Sequence, residues 1–132
     1  MRSFLMLLLG LLLVNCSAGG PSERDARQVF EAQLRGLLPG EAFQIDSFTK
    51  TNGQETNELG VAGYRVFYRA VVSFPNGLQT QELGPGLIPV DRHWWRPVPP
   101  GTRITYEGRI AFQRSENGWV ASGIELTNRS IQ

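Results

Sequence analysis

Residues 63–77 constrain the fold more than any other part of the chain, because hydrophobic side chains alternate along them. One face of an extended chain would carry Tyr64, Val66, Tyr68, Ala70, Val72 and Phe74. The opposite face would carry Arg65, Phe67, Arg69, Val71 and Ser73. A period of two residues is typical of a β-strand with one buried face. Pro75, Asn76 and Gly77 form the turn signal that ends this strand.

Three more strands are predicted around this run. The first covers residues 43–50 and ends before a turn signal formed by Asn52 and Gly53. Another places Ile104, Tyr106, Gly108, Ile110 and Phe112 on its inner face, with Arg103, Thr105, Glu107, Arg109 and Gln113 outside. A turn over residues 115–118 leads to a last strand over residues 119–126. Because turns join these strands too closely to admit crossover helices, we expect an antiparallel sheet.

One amphipathic helix precedes the strands. Its hydrophobic positions fall on one face at 3.6 residues per turn, and they are Ala26, Val29, Phe30, Leu34, Leu37 and Leu38. Ser22 is a suitable N-cap, and Asp25 in the first turn complements the helix dipole. Pro39 and Gly40 should end the helix. The apolar face predicts burial against the sheet, and a partner-binding surface is the alternative interpretation.

The N-terminus carries an apolar run over residues 4–14, which follows Arg2 and precedes Cys16, the only cysteine. The run is much shorter than the roughly 20 residues that a membrane-spanning helix needs, but it suits the apolar part of an export signal. The stretch resembles a bacterial lipoprotein signal peptide, in which the cysteine receives a diacylglyceryl group and becomes the mature N-terminus. The resemblance implies that Cys16 is lipidated and that residues 1–15 are removed.

The residues beside Cys16 bear on where the protein is delivered. Ordinary cleavage after Ala18 is the competing interpretation, because Cys16 and Ala18 are small residues at the two positions that such a site requires. That cleavage would release a soluble periplasmic or secreted protein. Ser17 stands where an aspartate marks inner-membrane retention in enterobacterial lipoproteins. The resemblance therefore implies the periplasmic face of the outer membrane.

The chain is predicted to divide into a signal peptide (residues 1–15), a lipidated tether (16–22) and a single helix-on-sheet domain (23–132). The whole chain has a formal net charge of +1, and loss of Arg2 leaves the mature domain neutral. Because nucleic-acid binding needs clustered basic charge, we expect no nucleic-acid partner. Removal of the signal leaves no pair of cysteines for a disulfide, so the domain must rely on its apolar core.

A helix followed by strands with one apolar face predicts an α+β arrangement, with one N-terminal helix packed on a curled antiparallel sheet of about four strands. Over residues 22–126 this arrangement is similar to the cystatin-like roll, which is related to the nuclear-transport-factor-2-like superfamily. The likeness rests on the helix face and on residues 63–77, 106–112 and 117–119. It carries no activity: the Gln-x-Val-x-Gly hairpin of protease-inhibiting cystatins is absent. The apolar and tyrosine side chains at the inner positions predict a filled core rather than a reaction chamber.

Residues 78–101 are dense in proline and glycine, which excludes a long regular element, although residues 78–83 suit a short edge strand. Within this loop, Asp91 precedes a cluster formed by Arg92, His93, Trp94, Trp95 and Arg96. Indoles stack on sugar rings and arginines bind carboxylate or phosphate, so the cluster is a candidate site for a glycan, a lipid headgroup or a peptide. The alternative is that one indole closes the core while the other lies on the surface.

Three hypotheses for function follow from these residues. The favoured one is a non-enzymatic, lipid-anchored envelope protein that supports or binds another envelope component, with the membrane and an envelope protein or glycan as partners. The second is a ligand-binding module that uses Trp94 and Trp95. The third is a small enzyme using Asp91 and His93, for which no nucleophile lies at a recognisable spacing. Since His93 is the only histidine, we expect neither a metal site nor a cofactor.

Overall fold

The computed structural model describes residues 19–78 and 98–132. Within these residues the chain forms helix α1 (Glu23–Leu37) and strands β1 (Gln44–Glu58), β2 (Val61–Phe74), β3 (Thr102–Ser115) and β4 (Gly118–Ile131). The strands make one open antiparallel sheet in the order β1-β2-β3-β4. The helix packs on one face of this sheet, which confirms the predicted α+β arrangement.

Helix α1 begins with a capping box. The backbone N–H of Asp25 donates to the Ser22 hydroxyl at 3.1 Å, and the backbone N–H of Ser22 donates to the Asp25 carboxylate at 2.9 Å. Two N–H groups that the helix itself cannot satisfy are thereby paired. The last turn closes where the N–H of Leu38 donates to the carbonyl of Leu34 at 2.9 Å. The predicted N-cap and helix end are therefore confirmed.

The core lies between the apolar face of α1 and the inner face of the sheet, and Phe30 stands near its centre. The Phe30 ring centroid is 5.2 Å from that of Tyr68, 5.6 Å from that of Phe48 and 6.0 Å from that of Tyr106. The other buried hydrophobic residues are Ala26, Leu34, Leu38, Val66, Ala70, Val72, Phe74, Leu78, Val98, Ile104, Ile110 and Phe112. The inner faces predicted for residues 64–74 and 104–112 thus lie on the side of the sheet that carries the helix.

The two edge strands each carry two β-bulges. In β1 the pairing register shifts around Asp46 and Thr51. In β4 it shifts around Ser122 and Thr127. A bulge bends its strand and increases its twist, and bulges on edge strands oppose pairing with other chains. The bulges therefore bend the two edges of the sheet while the central strands β2 and β3 pair without interruption.

The prediction of a turn at Asn52 and Gly53 is wrong. Both residues lie inside β1, and the hairpin turns instead at Leu59 and Gly60, whose φ angles are 52° and 79°. A Cβ on Gly53 would overlap the side chain of Tyr64 on the neighbouring strand. Glycine within a strand often marks such a close approach. Gly53 therefore makes room for a ring, and β1 continues well beyond residue 50.

Strand β4 also continues beyond the predicted end at residue 126. Because the bulge at Thr127 inserts an extra residue, Arg129 lies opposite Tyr106, on the same face of the sheet as Leu126. The sequence alternation breaks at this bulge, which is why the prediction stopped there. The predicted turn over residues 115–118 is confirmed. Leu78 pairs with Val98 through hydrogen bonds of 3.1 and 3.0 Å, and the rest of the predicted strand over residues 78–83 lies outside the described residues.

The outer face of the sheet, away from α1, carries paired charges. Each outward arginine lies near a carboxylate: Arg103 near Asp46 at 3.2 Å, Arg109 near Glu125 at 2.7 Å, Arg65 near Glu58 at 3.7 Å and Arg69 near Glu107 at 4.0 Å. Exposed pairs of this kind contribute up to about 1 kcal/mol each. The arrangement makes this face a surface of mixed charge rather than a basic stripe.

Candidate functional site

The helix is much shorter than the strands beneath it. A helix of 15 residues is about 22 Å long, whereas a strand of 15 residues is about 50 Å long. The helix starts beside Lys50, whose backbone N–H donates to the Glu23 carboxylate at 2.9 Å. Residues 51–65 and 113–120 lie beyond this point and form what we call the open end of the sheet. The rest of the sheet is the covered end.

A depression of about 350 Å³ lies at the open end. Its lining consists of Gly20, Glu55, Thr56, Asn57, Ala62, Gly63, Tyr64, Arg114 and Trp119. All four strands and the segment before the helix therefore contribute to it. Small-molecule sites commonly occupy about 300–1,000 Å³ and combine aromatic walls with a few polar groups. The depression has this size and composition.

Two aromatic side chains form its apolar part. The Tyr64 and Trp119 rings meet edge to face, with centroids 5.9 Å apart and an interplanar angle of 63°. Both residues are half-buried. The Lys50 Nζ lies 5.1 Å from the Tyr64 centroid, and the Arg114 Cζ lies 5.9 Å from a Trp119 ring centroid. Cations over aromatic faces at such distances are attracted by the ring quadrupole, which helps to hold both rings in place.

The position of Tyr64 is set by two glycines. A Cβ on Gly20 or on Gly53 would overlap the Tyr64 side chain. Lys50 ties the segment before the helix to strand β1, because its Nζ donates to the carbonyl of Pro21 at 3.1 Å. The ring is therefore packed between the segment that leads into the helix and a neighbouring strand. This packing explains why a strand interior contains the Gly53 that the sequence pattern suggested for a turn.

The polar part of the lining is balanced in charge. Glu55 supplies a carboxylate, Arg114 a guanidinium and Asn57 an amide. These groups offer hydrogen-bond donors and acceptors side by side. Among residues 19–78 and 98–132, no group of three or more His, Cys, Asp or Glu side chains could hold a metal ion. The arrangement is suited to binding by stacking and hydrogen bonding.

The covered end has a different polar chemistry. Burial raises the pKa of Tyr68, and the neighbouring Tyr106 raises it further. Burial also raises the pKa of Tyr106, opposed by the charge of Arg129 and by a hydrogen bond from it. The Tyr68 hydroxyl has no hydrogen-bond partner among the described residues. These neutral hydroxyls belong to a packed interior in which rings fill the space beneath the helix.

The residues predicted for the site fall outside the part of the chain that the structure describes. This holds for the lipidation residue Cys16, for Asp91, and for the loop cluster of Arg92, His93, Trp94, Trp95 and Arg96. Sequence reasoning missed Tyr64, Arg114 and Trp119 as a group, because it assigned Tyr64 and Trp119 only to strands. A usable signal was present: the predicted helix is too short to cover strands that extend to both hairpin turns.

Comparisons with known proteins assign no family. No protein-family model, no curated protein and no solved structure matches this chain. Within the described ranges, no helix is long and apolar enough to cross a membrane. The class that the structure defines is therefore a helix-on-sheet α+β domain with an aromatic depression at the open end of its sheet.

Proposed function

We propose that this protein is a non-enzymatic, lipid-anchored bacterial envelope protein whose domain supports or binds another envelope component. Its location would be the periplasmic face of the outer membrane, with the lipid on Cys16 as the attachment. The sequence around Cys16 supports the anchor, as argued above. More than one acyl chain is needed for durable attachment, and a lipidated cysteine of this class carries more than one.

The observation that carries the proposal is the way the chain enters the domain. Pro21 is fully buried, and Gly20 lies against the ring of Tyr64. Gly19 follows Cys16 by three positions, so the two Cα atoms can be at most about 11 Å apart. A lipid on Cys16 would therefore hold the open end close to the membrane surface. The depression would then meet ligands that are presented at that surface.

The packing beneath the helix supports a binding role over catalysis. Phe30, Phe48 and Tyr68 fill the space where related folds can hold a reaction chamber. Catalysis by acid and base needs titratable groups that reach a substrate. The raised pKa of Tyr68 results from burial in the packed core, away from the depression. The accessible chemistry of the described domain is instead the balanced lining of the open end.

The anchor is tested by metabolic labelling. We expect the full chain, expressed in a bacterial host, to incorporate radiolabelled palmitate and to fractionate with membranes. The Cys16→Ala variant should lose the label and appear in the soluble periplasmic fraction. The matched control is Ser17→Ala, which keeps the thiol and should retain the label. Mass spectrometry that finds an unmodified polypeptide beginning at Gly19 would refute the anchor and establish cleavage after Ala18.

A further inference from the structure

We propose that the depression at the open end is a saccharide-binding site, in which Trp119 stacks on a sugar ring, Tyr64 forms the adjoining wall, and Arg114, Glu55 and Asn57 bind the hydroxyl groups of the sugar. This inference rests on the proposed function for one point, that the domain meets its ligand at the membrane surface of the cell envelope. It adds the chemical class of that ligand, a saccharide.

The aromatic pair supplies the apolar surface that a sugar needs. A pyranose ring has C–H groups on its faces and hydroxyls at its rim, so it binds best where a flat apolar wall adjoins polar side chains. Trp119 and Tyr64 stand at 63° to one another and line the depression from different strands. Indole and phenol rings offer large contact area with little conformational entropy to lose. Their edge-to-face geometry forms a corner rather than a closed stack.

The charge balance of the lining selects against ionic ligands. A phosphate or carboxylate ligand would gain from Arg114 but would be repelled by Glu55, and a cationic ligand would meet the reverse situation. A neutral polyol uses both groups, because its hydroxyls donate to the carboxylate and accept from the guanidinium. Asn57 adds both a donor and an acceptor. Hydrogen bonds to charged side chains are among the stronger ones available for such recognition.

The site is also held in place before a ligand arrives. Gly20 and Gly53 leave room for Tyr64 in one position, and Arg114 lies over Trp119. The ring-bearing residues are on strands rather than on a loop. Binding costs less when side chains do not have to be ordered. The depression is near the lower end of the size range of small-molecule sites, which suits a short saccharide or the end of a chain.

The test is titration of the purified full-length protein in detergent with a trimer of N-acetylglucosamine and with maltotriose. Calorimetry should detect binding of at least one of them, and the Trp119 indole N–H signal should shift in NMR spectra. Trp119→Ala and Arg114→Ala should each weaken binding at least about tenfold, since truncation of such contacts typically has effects of this size. Arg27→Ala, which removes an exposed arginine on α1, should leave affinity unchanged.

Folding is monitored separately for each variant by circular dichroism and thermal unfolding. Arg114 is exposed, so Arg114→Ala tests the site even where Trp119→Ala lowers stability. Absence of binding to both saccharides in the parent protein would overturn the proposal. So would binding that survives Trp119→Ala but is lost on joint replacement of Trp94 and Trp95 by alanine, because the loop cluster would then be the site.

Two further outcomes separate this inference from the anchor. Binding to phosphatidylglycerol vesicles without any response to the saccharides would overturn it in favour of a headgroup site. Mass measurement on the same preparation reports acylation of Cys16 independently of the titration. An unmodified Cys16 with intact saccharide binding supports the saccharide site and refutes only the anchor. An acylated Cys16 without saccharide binding supports the anchor and refutes only the saccharide site.

Discussion

The two ends of the sheet are built from the same four strands but differ in what covers them. At the covered end, Phe30 and its helix seal the inner face, and side chains such as Ile104 and Ile110 have no exposed surface. At the open end, Tyr64 and Trp119 occupy the same face but remain half-buried. The difference arises because a helix of about 22 Å can cover less than half of strands about 50 Å long. One element thus supplies a core at one end and leaves a binding surface at the other.

This division predicts that stability resides mainly at the covered end and ligand recognition at the open end. Apolar burial contributes about 25 cal/mol per Å² removed from water, so fully buried rings contribute most. Half-buried rings contribute less and leave area for a ligand. The following substitutions test whether the two ends separate in this way.

The largest effect is expected from Phe30→Ala. Its ring packs against three aromatic rings of the sheet, and loss of a fully buried phenylalanine costs about 3–5 kcal/mol. Trp119→Ala should cost clearly less, because that side chain is half-exposed. Urea unfolding followed by circular dichroism gives both free energies of unfolding. Equal losses in the two variants would break the distinction between a core end and a binding end.

A smaller contrast is expected between two glycines. A Cβ on Gly108 would meet the backbone carbonyl of Glu125 and, at 2.7 Å, the hydroxyl of Tyr68, so Gly108→Ala should cost about 1–3 kcal/mol. A Cβ on Gly20 would meet only the ring of Tyr64, which is half-buried and would be displaced from its place in the depression. Gly20→Ala should therefore change stability by less than about 1 kcal/mol but weaken saccharide binding.

Thermal and urea unfolding of the two glycine variants, together with the calorimetric titration, check this contrast. Gly108→Ala is the control for the titration, because it lies outside the depression. Its folded fraction should bind the saccharide with unchanged affinity. The separation of the two ends is contradicted if Gly20→Ala lowers the free energy of unfolding as much as Gly108→Ala does.

The helix cap marks the border between the two ends, and its removal should have an intermediate effect. Ser22→Ala removes the hydroxyl that accepts from the N–H of Asp25 and should cost about 1 kcal/mol. Hydrogen exchange should accelerate in the first turn of α1 and at Lys50, whose N–H is bound to Glu23. Ser47→Ala, an exposed change on the outer face of β1, is the control and should have no measurable effect. Faster exchange throughout the sheet would show that the cap stabilises the whole domain, which contradicts its role as a border between the two ends.

The smallest effect at neutral pH is expected from Tyr68→Phe. The hydroxyl has no hydrogen-bond partner among the described residues, so its removal should change stability by less than about 1 kcal/mol. Burial raises the pKa of Tyr68 above its ordinary value of 10.0. The unfolded state keeps the ordinary value, so its tyrosine loses a proton first as the pH rises above 10.0. Deprotonation then favours unfolding, and the stability present below that pH is lost.

Tyr68→Phe should accordingly reduce the fall in unfolding free energy between pH 7 and about pH 11, because one buried tyrosine no longer contributes to it. Urea unfolding of both proteins at the two pH values measures this difference. An unchanged slope would mean that Tyr68 is accessible to solvent, and the covered end would then be less sealed than its packing indicates.

The sequence predicted the features that depend on short-range periodicity. The capping box at Ser22 and Asp25, the apolar helix face and the inner faces of β2 and β3 were all readable, and the structure confirms them. The predictions that the structure corrects concern the edge strands. Asn52 and Gly53 lie inside β1, and β4 runs past a bulge at Thr127 to Ile131. Bulges interrupt the alternation on which the sequence argument relied.

The sequence by itself determined which side chains face inward, because alternation and the 3.6-residue period are properties of the local backbone. Only the tertiary structure decided where along the strands the helix begins, and that position leaves Tyr64, Arg114 and Trp119 uncovered beside Gly20. Arg114 and Trp119 face each other across one hairpin, but long stretches of chain separate this pair from Tyr64 and from Gly20, and no local period relates the three parts. The physical reason is that strand length and helix length are set independently, while the uncovered surface is the difference between them.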